Sequence, residues 1–230
     1  LGVELAKKIN GQIVSCDSMQ IYKDMQIGTA KPTEEEMQGI KHYLIDCVSP
    51  DERYSVANYK EDAKKAIKQI VEKGKVPIIV GGTGLYFRLL LENYMPPEFE
   101  PNYNYRDSLK DIPVEKLYSM LKEADCEGAA FIDSNDKKKI IRALEIIKTT
   151  GKPLAEARGK SDSTDFNVEW IGLNFPRQEL YERINKRVDI MLSKGMLEET
   201  KSLLNKYGRI QNIVSTIGYQ EMAMYIDGIL

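Results

Sequence analysis

Residues 76–80, Val-Pro-Ile-Ile-Val, form an unbroken apolar run that stops on Gly81-Gly82-Thr83-Gly84. A run so short, and apolar throughout, predicts a strand covered on both faces, as in parallel sheets. The glycines predict a tight turn into a helix whose free N–H groups lie at the strand's carboxyl end. Alone, such a turn is explained as well by backbone geometry as by a ligand. The segments before it alternate in type. Gln12-Ile13-Val14 reads as a strand, Thr33-Glu34-Glu35-Glu36 opens a helix with acids in its first turn, and residues 43–46 read as a second strand. Ser55 caps a helix with Val56, Tyr59, Ala63, Ile67 and Ile70 on one side, and Lys73-Gly74-Lys75 ends it. This alternation predicts an α/β fold, a parallel sheet flanked by helices.

With 230 residues the chain suits one large domain or a domain carrying an insert. Its formal net charge of -2 does not mark a general polyanion binder, so contact with nucleic acid requires a local basic patch. No apolar run reaches the roughly 18 residues of a membrane span, and a cytoplasmic protein is expected. Cys16, Cys47 and Cys126 have no metal-ligand spacing and suit a reducing compartment. His42, the only histidine, is expected as a turn residue ahead of strand 43–46. A Ser-His-Asp triad would have to use it.

The character of the chain changes near residue 96, where Pro, Asn and Tyr accumulate. A small helical insert is expected over 96–134, between a first core part, 1–95, and a return to the core over 135–230. Asn135 caps a helix over 135–150, with Ile140, Leu144 and Ile147 inward and Lys138 and Arg142 sharing a face. By spacing alone that basic face is a solvated one. Residues 158–164 are polar, 168–173 read as a returning strand, and Pro176 starts a helix with Leu180, Ile184, Val188 and Met191 on one face. A further helix is expected over 196–207.

Asp17 comes shortly after the run Gln12-Ile13-Val14, separated from it by Ser15-Cys16, and so sits where the first strand ends and ligands bind in open α/β sheets. A carboxylate there can take a proton or hold a metal, or simply start a turn. Its context is more specific. Asp17-Ser18-Met19-Gln20-Ile21-Tyr22-Lys23, followed by Ile27-Gly28-Thr29-Ala30-Lys31-Pro32, resembles the tRNA dimethylallyltransferase family. Further stretches are similar to that family in the same order: Gly81-Gly82-Thr83-Gly84-Leu85-Tyr86, then Asn135-Asp136-Lys137-Lys138-Lys139-Ile140-Ile141-Arg142, then Ile217-Gly218-Tyr219-Gln220-Glu221.

The resemblance implies a P-loop-kinase-like, nucleotide-binding fold with a helical insert that grips the anticodon stem-loop of tRNA. It implies transfer of a dimethylallyl group from dimethylallyl diphosphate to the N6 amine of an adenosine beside the anticodon, with release of diphosphate. Asp17 is then the expected base, with Thr83 positioning a substrate on the facing loop. The tRNA contacts are expected from Asp17, Ser18, Met19, Gln20, Thr83, Lys138, Lys139, Ile140, Ile141, Arg142, Gly218, Tyr219 and Gln220. Mg²⁺ is the expected cofactor, touching Asp17 directly or through water, and a monomer is expected.

The sequence departs from the family in one respect. No Gly-x-x-x-x-Gly-Lys-Ser/Thr motif, the ATP-binding signature, occurs in it. The resemblance places that P-loop immediately before Leu1. A helix starting at residue 1 without initiator Met or N-cap is expected to have lost what preceded it, and the family's basic C-terminal segment is likewise not found. Two rivals remain open at this point: a P-loop-type small-molecule kinase and a noncatalytic tRNA-binding fragment.

Overall fold

The computed structural model describes residues 1–92, 101–157 and 166–230. Contacts divide the chain into two compact units, one built from 1–92 with 166–230 and the other from 93–165. The expected boundary at 96–100 and the polar stretch 158–164 lie outside the described residues.

The first unit opens with α1 (Gly2–Lys8), β1 (Gly11–Cys16), the short α2 (Glu34–Met37), β2 (His42–Tyr43), α3 (Val56–Glu72), β3 (Val76–Gly81) and α4 (Gly84–Leu91). The strands form one parallel sheet in the order β2-β1-β3. β1 is the middle strand, and all six of its residues are buried. Capping boxes start two helices: Thr33 with Glu36 on α2, and Ser55 with Asn58 on α3. The stripe expected on α3 is inward, with Tyr59, Ala63, Ile67 and Ile70 packed against Val14, Cys16, Tyr86 and Leu90. Each fully buried Val or Ile here contributes about 1.5–3 kcal/mol relative to exposure.

Three expectations need correction. β3 is not covered on both faces, because Val76 and Val80, which share a face, are exposed; it is also an edge strand, pairing only with β1 among the described strands. His42 begins β2 rather than a turn, and the strand ends at Tyr43, because Leu44 and Asp46 turn into the left-handed region. Residues 168–173 form no strand, since no described strand lies alongside to pair with their backbone, and Trp170, Ile171 and Leu173 are exposed.

The second unit holds α5 (Tyr103–Leu109), α6 (Val114–Ala124), α7 (Cys126–Ala129), α8 (Lys137–Thr150) and α9 (Leu154–Ala157). Leu109, Leu117, Leu121, Ala129, Ile140, Ala143 and Leu144 form its core. From sequence, the insert ends at 134 and helix 135–150 returns to the sheet domain. The contacts place that helix in the second unit instead, because the inward stripe of α8 packs on α6 and α5. Glu145, fully buried on α8, accepts hydrogen bonds from Asn102 N at 2.7 Å, Arg106 Nε at 2.9 Å and Arg142 Nη1. Burial pushes its carboxyl up, but the Arg142 and Arg106 hydrogen bonds outweigh that and hold it below the usual range.

The chain re-enters the first unit with α10 (Arg177–Ser193), α11 (Met196–Tyr207), α12 (Gln211–Val214) and α13 (Tyr219–Ile226). Leu180, Ile184 and Val188 share a face of α10 as expected, yet that face is exposed. The last three helices close a second core of this unit, in which Leu203, Ile213 and Tyr219 pack on Ile21, Tyr22 and Met25. No described helix is long and apolar enough to cross a membrane.

Candidate active site at the carboxyl edge of the sheet

β1 and β3 end side by side, with Cys16 opposite Gly81. A Cβ at Gly81 would lie 2.2 Å from the Cys16 carbonyl oxygen, so this contact requires glycine. Each strand hands the chain to a functional turn. Asp17 follows β1 and Thr83 follows β3, and Thr83 N donates to Cys16 O at 3.1 Å. The Thr83 hydroxyl does not cap α4. It turns the other way, accepts from Ser18 N at 3.0 Å and donates to Ser18 Oγ at 3.4 Å. The two expected catalytic residues are therefore neighbours.

Asp17 is half-buried, and its two oxygens differ. Oδ1 accepts from Met19 N at 2.8 Å and Gln20 N at 3.1 Å, which fixes the carboxylate by a local turn. Oδ2 takes no hydrogen bond among the described residues and is available to a ligand. Behind Asp17, Tyr59 and Tyr86 stack at 3.9 Å. Burial drives both phenols above their ordinary range, and drives the Cys16 thiol up to about 12. These groups stay protonated near neutrality and are not nucleophiles.

The remaining expected contacts divide. Gln20 spends its amide on the loop, donating to Thr29 O at 3.2 Å and Ala30 O at 3.3 Å. Met19 is half-buried against the second core, its sulfur 3.0 Å from the Thr216 hydroxyl. Tyr219 is fully buried and presents no surface to a nucleic acid. Its neighbour Gly218 has φ +89°, a backbone conformation that favours glycine, and Gln220 is exposed. In the second unit Lys138 and Lys139 are exposed, Lys139 pairing with Asp136 at 2.7 Å. Arg142 is half-buried and faces Glu145. Ile140 is fully buried, so its side chain cannot touch RNA, whereas Ile141 packs on the same core but is only half-buried. The helical stripe had already placed Ile140 inward.

Two sets of residues were missed. Lys31, buried, donates to Tyr22 O at 2.6 Å and to Asp46 Oδ1 at 2.7 Å, tying the loop after Asp17 to the segment after β2. Glu199 on α11 takes the amides of Gln26, Ile27 and Gly28 from the other end of the chain. No local pattern marks that pairing.

A parallel α/β core whose middle strand delivers a carboxylate beside a glycine-rich helix-start turn defines a protein built to act on a ligand at its carboxyl edge. Comparison with known proteins makes this particular. The family model described as IPP transferase matches residues 20–230. A tRNA dimethylallyltransferase of Carboxydothermus hydrogenoformans is 44% identical, the alignment spanning 99% of this chain and 75% of that protein. One from Caldanaerobacter subterraneus subsp. tengcongensis is 46% identical with the same coverage. The crystal structure of the tRNA isopentenylpyrophosphate transferase of Bacillus halodurans gives a TM-score of 0.69 at 40% identity, over 99% of this chain and 73% of that one. A eukaryotic dimethylallyltransferase acting on tRNA gives 0.74 at 30% identity, over 96% of this chain and 56% of that one. The chain belongs to the IPP transferase family and is a transferase.

Proposed function

We propose that the protein transfers a dimethylallyl group from dimethylallyl diphosphate to the exocyclic N6 amine of an adenosine next to the tRNA anticodon. The observation that carries this reading is the junction of Asp17 with the Thr83 turn. There one carboxylate oxygen is held by two amides and the other is free of described donors. An adenine amine is a poor nucleophile because its lone pair is delocalised into the ring. Asp17 Oδ2 takes a proton from N6 as nitrogen bonds to the allylic carbon. The carbon–oxygen bond breaks, and its electron pair leaves with diphosphate. General base catalysis of this kind is worth roughly a hundred- to ten-thousand-fold. Thr83 holds Ser18, and through it the turn that aims Asp17. The adenosine has to leave its stack to reach this edge.

Mg²⁺ binds through one or two carboxylates together with substrate phosphates and water. Asp17, reaching the ion through a water so that Oδ2 stays free for the N6 proton, and the Ser18 hydroxyl would supply that partial donor set, and among the described residues no cluster of three metal-binding side chains offers a fuller cage. Bound here, the ion would offset the negative charge of diphosphate. Lys138 and Lys139 are the outward cations of the second unit assigned to the stem-loop phosphates. On this reading the protein works in the cytoplasm as a monomer.

Incubation with labelled dimethylallyl diphosphate and unmodified tRNA, in parallel with labelled ATP and small-molecule acceptors, tests the reading. Label entering tRNA from the allylic donor supports it. Phosphoryl transfer without prenylated tRNA would favour a kinase, and tRNA binding without product would leave a binding module.

A further inference from the structure

The loop after Asp17 is held by a carboxylate from α11. Ile27 N lies 2.9 Å from both Glu199 oxygens, Gln26 N 3.2 Å from Oε2, and Gly28 N 3.2 Å from Oε1. Three successive amides converging on one carboxylate form an anion nest. Tyr219 completes it: its buried hydroxyl donates to Glu199 Oε1 and accepts from Gly28 N at 3.2 Å. Burial first, and the Glu199 hydrogen bond next, raise this phenol above its ordinary range, so it remains a donor. Gly28 admits the ring, because a Cβ there would lie 2.5 Å from it.

From this nest the path to the reacting group is short. Loop carbonyls Thr29 O and Ala30 O hold the Gln20 amide, and Gln20 N in turn holds Asp17 Oδ1. On the other side, the Thr216 hydroxyl on the turn before α13 meets the Met19 sulfur. Both of the residues whose amides grip Asp17 are thus anchored to the C-terminal helices.

We infer that Glu199, with Tyr219, is a positioning residue for the 17–20 segment, setting the aim of the Asp17 carboxylate from across the first unit. The inference rests on the prenyl-transfer reading. Glu199 touches no reacting atom in this account. Its loss leaves three amides without their shared acceptor, and the loop that fixes Gln20 is then free to shift.

Glu199→Gln keeps the shape but replaces one acceptor oxygen by a donor aimed at other donors. It is expected to lower kcat for tRNA prenylation about 10- to 100-fold, with donor KM and stem-loop Kd within about threefold. Amide exchange at Gln26, Ile27 and Gly28 is expected to speed up. Tyr219→Phe, which removes one donor from the nest, is expected to show the same split with a smaller loss. Thr200→Val is the control. Thr200 is buried on α11 and, among the described residues, its hydroxyl bonds only its own helix, to Met196 O at 2.8 Å, so this change removes a helix contact and leaves the nest's own hydrogen bonds in place. If Thr200→Val lowers kcat as much as Glu199→Gln, the effect is general destabilisation and the inference is overturned. An active wild type with an unchanged Glu199→Gln kcat overturns it as well. A wild type that prenylates no tRNA overturns the underlying reading, and the inference with it.

Discussion

At the scale of single residues, the site depends on close backbone approach as much as on side chains. Gly81 is the clearest case. Its α-carbon sits so near the Cys16 carbonyl that any Cβ would overlap it at 2.2 Å. The neighbour is backbone in the middle strand and cannot swing aside. Gly81→Ala is therefore expected to destabilise the first unit by about 1–3 kcal/mol, the usual range for forced overpacking. Urea unfolding measures it, and an unchanged midpoint would show that the strand ends have more room than this geometry gives. The same substitution moves the Thr83 turn relative to Asp17, so turnover is expected to fall even where the protein remains folded. Asp17 was readable from sequence because it stands close behind the apolar run Gln12-Ile13-Val14, where a strand ends. Glu199 was not, because the amides it holds are 171–173 positions away along the chain.

At the scale of elements, α8 makes two demands on one helix. Its inner stripe builds the core of the second unit, and its outer side carries the lysines assigned to RNA. Helical spacing turns Ile140 fully inward and Lys138 and Lys139 outward, with Ile141 half-buried between them. Arg142 is drawn inward by Glu145. Lys138→Ala combined with Lys139→Ala is expected to weaken stem-loop binding and reduce the slope of log K against log salt by roughly one to two units. An unaltered slope would remove this face from the interface. Glu145 sets the acid limit of the same element. Its folded carboxyl lies below the ordinary value, so its contribution is present above the unfolded pKa and is lost as pH falls through the folded one. Near neutrality wild type is expected to exceed Glu145→Gln by about 1.5–3 kcal/mol, the worth of a hydrogen bond to a charged group. Acidification well below about pH 4, the carboxylate range, should erase that difference. Thermal melts of both proteins across pH check it, and a difference independent of pH would contradict the assignment.

For the whole molecule, what could be read in advance was what is local. Strand runs, caps and glycine stops lie within a few residues of one another, so the order of strands and helices and the edge carrying Asp17 and Thr83 followed from them. What could not be read depends on partners distant in sequence. Residues 168–173 have strand-like composition but no described strand beside them. The division at residue 165 rather than 134 reflects α8 choosing α6 and α5 over the sheet. The motif around Tyr219 was legible as a motif, but the burial of the Tyr219 ring was not, because a tyrosine that braces a distant loop leaves no local trace. Within the first unit the Glu199 and Thr216 contacts lead to the segment beginning at Asp17, so the decisive observation is made there. Asp17→Asn retains an oxygen for the Met19 and Gln20 amides but cannot accept the N6 proton. Single-turnover transfer from dimethylallyl diphosphate to tRNA should fall at least about a hundredfold in this variant, with stem-loop affinity within about threefold of wild type. Transfer within about tenfold of wild type would contradict the account, because the proton would then have another acceptor.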